Sequence, residues 1–211
     1  MNLSSLTKYA IILGAFSAFT VSSYADSVLL FSSATETANN SSSATVNIPP
    51  NPAWAGPLTG SSWVSYVQSG DPSRTDFVLV PNGTQVTFSD TFTINGSPLS
   101  GSVNVLADDT TSVTLNGFLL MAQANGSGNT YATCSDTTIG CLTVTEGNVS
   151  LSGQLLSGLN TLDFTVAQRN GSSFGLDYAG VVNYAPTPEP SALALLCLPV
   201  ALFLRRKHRS A

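Results

Sequence analysis

Residues 84–94 read TQVTFSDTFTI. Val86, Phe88, Phe92 and Ile94 take the even positions and Thr87, Ser89, Thr91 and Thr93 the odd ones. That is the period of two at which successive side chains leave opposite faces of a strand. One face is apolar and the other carries hydroxyls, so the segment predicts a strand with one side in a core and the other in water. Asp90 interrupts the inward row and predicts a bulge or a break between two strands.

The same alternation recurs along the chain. NTLDFTVAQ (160–168) sets Leu162, Phe164 and Val166 against Thr161, Asp163 and Thr165, and SFGLDYAGVVNY (173–184) aligns Phe174, Leu176, Tyr178, Val182 and Tyr184. Further strands are expected around 28–33, 62–68, 76–80, 102–107, 112–121 and 148–155. Asn-Gly pairs begin at 82, 95, 116, 125 and 170; these residues tolerate the positive φ of tight hairpin turns. No helical stripe competes in the body. Many short half-buried strands joined by such turns predict an all-β fold, an antiparallel β-sandwich or jelly roll whose two sheets bury their apolar faces against each other. The polar and then Pro-rich stretch 35–57 is expected to be a long surface connection.

The two ends read differently from the body. Lys8, the apolar run Tyr9 to Val21 and the small residues before Asp26 have the layout of a secretory signal peptide, with cleavage expected after Ala25. At the other end, Ser191 to Leu204 is a 14-residue run without charge, followed by Arg205, Arg206, Lys207 and Arg209. As a helix it spans about 21 Å, short of a hydrocarbon core of about 30 Å. The basic cluster keeps its own side cytoplasmic while the signal peptide sends the body outward.

Pro188-Glu189-Pro190, the short hydrophobic segment and the Arg-rich end together resemble the PEP-CTERM protein-sorting signal. The resemblance covers 186–211. It implies export through signal peptidase and the export machinery, a transient membrane intermediate held by the C-terminal hydrophobic sorting helix, and recognition by an exosortase. It also implies release or attachment at the cell surface or in the exopolysaccharide matrix of a Gram-negative bacterium. The expected organisation is therefore signal peptide 1–25, β-sandwich ectodomain 26–185 and sorting signal 186–211.

Trimming both ends leaves Arg74 and Arg169 against eleven acids, a formal charge near −9. A nucleic-acid partner is excluded, since phosphate recognition rests on clustered Lys and Arg. Export favours pairing of Cys134 with Cys141 across the loop CSDTTIGC, a disulfide expected to stiffen a hairpin tip; Cys197 lies in the tail.

A second resemblance covers roughly 45–184. NPAWAG, SSWVSYV, LADDTTSVTLNG, GLNTLDFTV and GLDYAGVV, in that order, are similar to galactose-binding-like β-sandwich domains found in exported PEP-CTERM proteins. That resemblance implies a sandwich of a kind that often carries sugar-binding modules, although a fold alone assigns no function.

The chemistry available to the body is narrow. The single histidine, His208, and both lysines, Lys8 and Lys207, lie in the segments expected to be removed. The body thus has no His base, no Ser-His-Asp triad, no Schiff-base lysine and no imidazole for zinc. No cofactor is expected. Asp108 and Asp109 are expected in an Asp-rich turn accepting backbone N–H groups, with a structural Ca²⁺ as the other reading. Trp63 is expected in the core. Trp54, amid prolines, is the candidate exposed ring for stacking on a sugar, with Asp71, Arg74 and Asn170 in nearby turns as polar partners. Two function classes follow: a non-enzymatic, sorted surface or matrix protein, and a carbohydrate-binding module for neutral glycans.

Overall fold

The computed structural model describes residues 25–35, 37–38, 43–124, 139–169 and 171–187. Residues 1–24 of the expected signal peptide and 188–211 of the expected sorting signal, among them Pro188, Glu189, Pro190, Arg205, Arg206, Lys207 and Arg209, lie outside the described residues, as do Cys134, Asn125 and Asn170. Ala25–Thr187 forms one compact unit. Among the described residues no helix is long and apolar enough to cross a membrane.

The unit is a two-layer antiparallel β-sandwich. Its strands in chain order are β1 (Asp26–Phe31), β2 (Thr37–Ala38), β3 (Ser43–Ala44), β4 (Val46–Asn47), β5 (Val64–Ser65), β6 (Gln85–Ile94), β7 (Gly96–Asp108), β8 (Thr110–Leu115), β9 (Phe118–Met121), β10 (Gly147–Ser150), β11 (Gly158–Ala167) and β12 (Gly175–Pro186). The first sheet runs β10-β7-β12-β5-β4, with β1 also paired to β12; the second runs β3-β2-β6-β11-β8-β9. The only helical turn among the described residues is a 3-10 turn at Thr143–Thr145.

The alternating rows meet between the layers. Val86, Phe88, Phe92 and Ile94 from β6 and Leu162, Phe164 and Val166 from β11 pack against Val103, Val105, Leu176, Tyr178 and Val182 of the first sheet. Phe164 and Tyr178 stack across the interface at 4.4 Å between ring centroids. Truncating one such buried ring to alanine typically costs about 3–5 kcal/mol, since transfer energy is lost and a cavity remains.

Several expectations are corrected. β6 runs without a break and pairs residue for residue with β11 through Asp90, opposite Leu162, so Asp90 marks no bulge. It faces inward, where the Tyr178 hydroxyl donates to its Oδ2 at 3.1 Å, and burial raises its pKa. The 76–80 stretch forms no strand beyond an isolated bridge between Val80 and Ser172, and 62–68 contributes only Val64–Ser65. Asn116-Gly117 turns β8 into β9 with both residues at positive φ, as the hairpin reading requires. Asn95-Gly96 does not make a hairpin: Asn95 is the single residue by which the chain passes from the second sheet to the first.

Candidate functional site

The outer face of the first sheet is divided in two. At one end a polypeptide layer covers it. Ile48, Trp54, Trp63, Leu106 and Cys141 form a second buried cluster, with Val46, Ala55, Leu58 and Leu142 packed against it. The later part of the expected surface connection, 48–57, is therefore largely the lid of this small core. Gly175 is the floor on which Trp54 rests: a Cβ there would meet the indole at 3.1 Å.

Two carboxylates of the sheet hold this layer down. The Trp54 indole N–H donates to Asp108 Oδ2 at 2.7 Å. The Leu58 backbone N–H donates to Asp177 Oδ2 at 2.7 Å, and the Ser32 hydroxyl to Asp177 Oδ1 at 2.9 Å. Asp109 sits in the one-residue passage from β7 to β8 and accepts the Arg169 backbone N–H at 2.6 Å. Burial, the charge of Asp109 and a hydrogen bond with that carboxyl hold Asp108 well above the ordinary carboxylate range, against the weaker opposing effect of the Trp54 bond. Burial likewise raises Asp177.

This geometry corrects the ligand reading of Trp54. Its side chain is 8% exposed and lies 4.4 Å, centroid to centroid, from the fully buried Trp63. The ring is therefore part of a core and presents no stacking surface. The polar residues expected beside it are occupied too. Asp71 Oδ1 accepts the Ser73 backbone N–H and hydroxyl, bonds that lower its pKa, and Arg74 pairs with Asp76 at 2.9 Å. Trp63 is core, as its alternation with Val64 and Tyr66 implies. Asp109 accepts a backbone N–H, as the turn reading has it, whereas Asp108 takes an indole. Among the described residues no group of three or more His, Cys, Asp and Glu side chains could hold a metal ion. Cys141 is disulfide-bonded.

Beyond the lid the same face is open, and strand register sets its side chains in rows. One row is Phe31, Ala179, Asn104 and Asn148, across β1, β12, β7 and β10. The next is Leu29, Val181, Ser102 and Ser150, and the third is Ser27, Asn183 and Ser100. Neighbouring strands lie about 4.8 Å apart, so each four-strand row is about 14 Å wide. Leu29 is 68% and Phe31 44% exposed. Asn148 Nδ2 donates to Asn104 Oδ1, and Asn183 Nδ2 to the Ser100 hydroxyl at 3.4 Å. The rows hold no ionisable side chain. The first two rows grade from apolar at β1 to amide and hydroxyl at β10, the third is polar throughout, and the lid meets them at Asp177, two residues along β12 from Ala179. None of these residues stands out in the sequence, because exposed Leu and Phe alternating with buried residues read there simply as strand.

The fold and this face define the chain as an antiparallel β-sandwich protein. No protein-family profile matches it, and a search of curated proteins returned no match. Among solved structures it is similar to an α-L-rhamnosidase of Streptomyces avermitilis complexed with L-rhamnose (17% identity, 67% of this chain and 14% of that one, TM-score 0.44). It is also similar to a family 35 carbohydrate binding module of Clostridium thermocellum (16%, 73% and 97%, TM-score 0.39) and a CBM35 of Paenibacillus barcinonensis (12%, 73% and 97%, TM-score 0.37). The chain thus spans about one seventh of the rhamnosidase and nearly the whole of either module. With TM-scores this low, nothing about ligand or activity is carried over from them.

Proposed function

We propose that this chain is a non-catalytic exported protein whose β-sandwich binds a neutral glycan on the open face of its first sheet. The observation that carries the reading is the composition of that face. An exposed phenyl ring stands in register with two asparagine amides, flanked by hydroxyls, with no charge in any row. A pyranose needs an apolar platform for its C–H face together with a few amides and hydroxyls that fix orientation, and it needs no countercharge. The uncharged rows on a strongly acidic body disfavour sulfated or uronic-acid chains. The resemblance of 186–211 to the PEP-CTERM signal supports delivery by an exosortase to the cell surface or exopolysaccharide matrix, where such a polymer is at hand.

Titration calorimetry of the full-length protein with neutral exopolysaccharide from the host tests this. Saturable binding is expected, weakened roughly two- to tenfold in Phe31→Ala, because an aromatic stacking contact contributes about 0.5–1.5 kcal/mol. Trp54→Phe should bind as the natural protein does, since the Trp54 ring is buried in the small core, away from the open rows. Absence of saturable heat with every host glycan would leave a sorted matrix protein that acts without a sugar ligand.

A further inference from the structure

We infer that the glycan taken by this face carries methyl groups, as 6-deoxyhexoses and O-acetylated hexoses do. The inference rests on the glycan-binding reading above and concerns which class of neutral sugar the face selects. Phe31 is the one ring in the rows. Beside it along β1 stands Leu29, and across from Leu29 on β12 stands Val181, so half of the next row is aliphatic. An aliphatic pair offers no π face to a pyranose. Set against an unsubstituted hexose, Leu29 and Val181 would take water from hydroxyls and give no acceptor or donor in return. A methyl group laid there removes apolar surface from water on both partners and leaves no polar group unpaired.

The polar half of the same row fits the same ligand. Ser102 and Ser150 follow Val181 at one-strand intervals, and the Asn104 and Asn148 amides stand in the adjoining row. A ring seated on Phe31 with its methyl toward Leu29 and Val181 leaves those serines and amides, about 10–14 Å away on β7 and β10, to the hydroxyls of the next sugars along the same chain. The size of the patch argues against a protein occupant. Leu29 and Phe31 expose on the order of 200 Å² of apolar surface between them, less than the 300–600 Å² or so of the largest apolar patch on a typical monomer. The absence of charge in the rows argues against an ionic ligand.

The test is calorimetry of the full-length protein against two matched pairs of neutral glycans. One pair is a 6-deoxyhexose oligosaccharide and its counterpart with a 6-hydroxyl. The other is O-acetylated host polysaccharide and the same material after mild alkaline deacetylation. The methyl-bearing member of at least one pair is expected to bind roughly fourfold tighter or more per methyl seated, and which pair responds identifies the methyl's source. Leu29→Ser should abolish that ratio. Because Leu29 is mostly exposed, the fold should survive the change, as an unaltered circular dichroism spectrum would establish. Asn148→Ala should weaken both members alike and keep the ratio. Equal affinity within both pairs overturns the methyl preference while the glycan-binding reading stands, whereas no binding by any of the four defeats both. A dimer in solution that Leu29→Ser dissolves would also overturn the inference, by assigning the face to a second copy.

Discussion

Trp54 shows how much one side chain can connect. Its ring closes the small core against Trp63, and its N–H satisfies a carboxyl that is itself buried. The two roles are separable. Trp54→Phe keeps most of the packing and strands Asp108, which costs about 1–3 kcal/mol, whereas Trp54→Ala also opens a cavity and belongs with ring truncations at about 3–5 kcal/mol. Urea unfolding of both variants should place them in that order. The buried carboxyls also set the pH dependence. Asp108, Asp177 and Asp90 all have pKa values raised by burial above the ordinary 3.8. Their folded state therefore holds protons that the unfolded chain has released. Their stabilisation is complete below the unfolded carboxylate range and is lost as pH rises through the raised values. Asp71 and Asp76 are shifted downward by hydrogen bonds from Ser73 and Arg74 and act in the opposite sense, but both lie in a surface turn where water weakens such effects. The urea midpoint should accordingly fall from mildly acidic to neutral pH, and Asp108→Asn, which keeps an acceptor for Trp54, should flatten that slope. A midpoint independent of pH in the natural protein would contradict it. None of this was legible near Trp54. Prolines flank it without periodicity, and its partner lies 54 residues away in sequence.

At the scale of strands and turns the sequence is far more informative, because the long strands announce their own buried faces. β6, β11 and β12 fall where their alternation places them, and their inward residues are those of the even rows. What local pattern cannot supply is the use to which a turn dipeptide is put. Asn116-Gly117 and Asn95-Gly96 look alike in sequence, yet the first makes a hairpin and the second a passage between sheets. The reasons for glycine differ accordingly. Gly117 needs its φ of +82°, and a Cβ there would meet open space. At Gly96 a Cβ would fall 2.0 Å from the Ala185 carbonyl oxygen, where β7 begins beside the end of β12. Gly117→Ala should thus cost only the left-handed penalty of about 1–2 kcal/mol. Gly96→Ala must push two backbones apart and should cost more. Unfolding free energies in the reverse order would show that the passage at Asn95 yields more easily than its close contacts imply. Asp90 makes the complementary point: an acid in an apolar row read as an interruption, because its partner, the Tyr178 hydroxyl, belongs to the opposite sheet.

In the whole body, the order of strands in each sheet is the property least visible in the sequence, since register and alternation fix faces but not neighbours. β1 illustrates this. It is the first strand in the chain and pairs with the last, Asp26 opposite Tyr184 and Phe31 opposite Ala179. The Tyr184 hydroxyl donates to Asp26 Oδ2 at 2.9 Å, which closes the start of β1 against the end of β12. This pairing bears on processing. A cut after Ala25 would leave all of β1, beginning at Asp26, and a cut near Pro188-Glu189-Pro190 would fall beyond Pro186, where β12 ends. Both expected cleavages thus lie just outside the ladder that joins the two ends, and both leave β1 and β12 whole. Intact-mass measurement on protein isolated from its native host should therefore find a chain starting at Asp26 and lacking the residues beyond about 190, with the unfolding midpoint of the uncut body. A cut a few residues inside either boundary would take away Asp26 or Tyr184 and unzip the β1–β12 edge, so a mature mass ending before 184 would contradict a body closed by that ladder. Recovery of the surface protein with Arg205, Arg206, Lys207 and Arg209 still attached would sink the sorting account and leave the sandwich and its open face untouched.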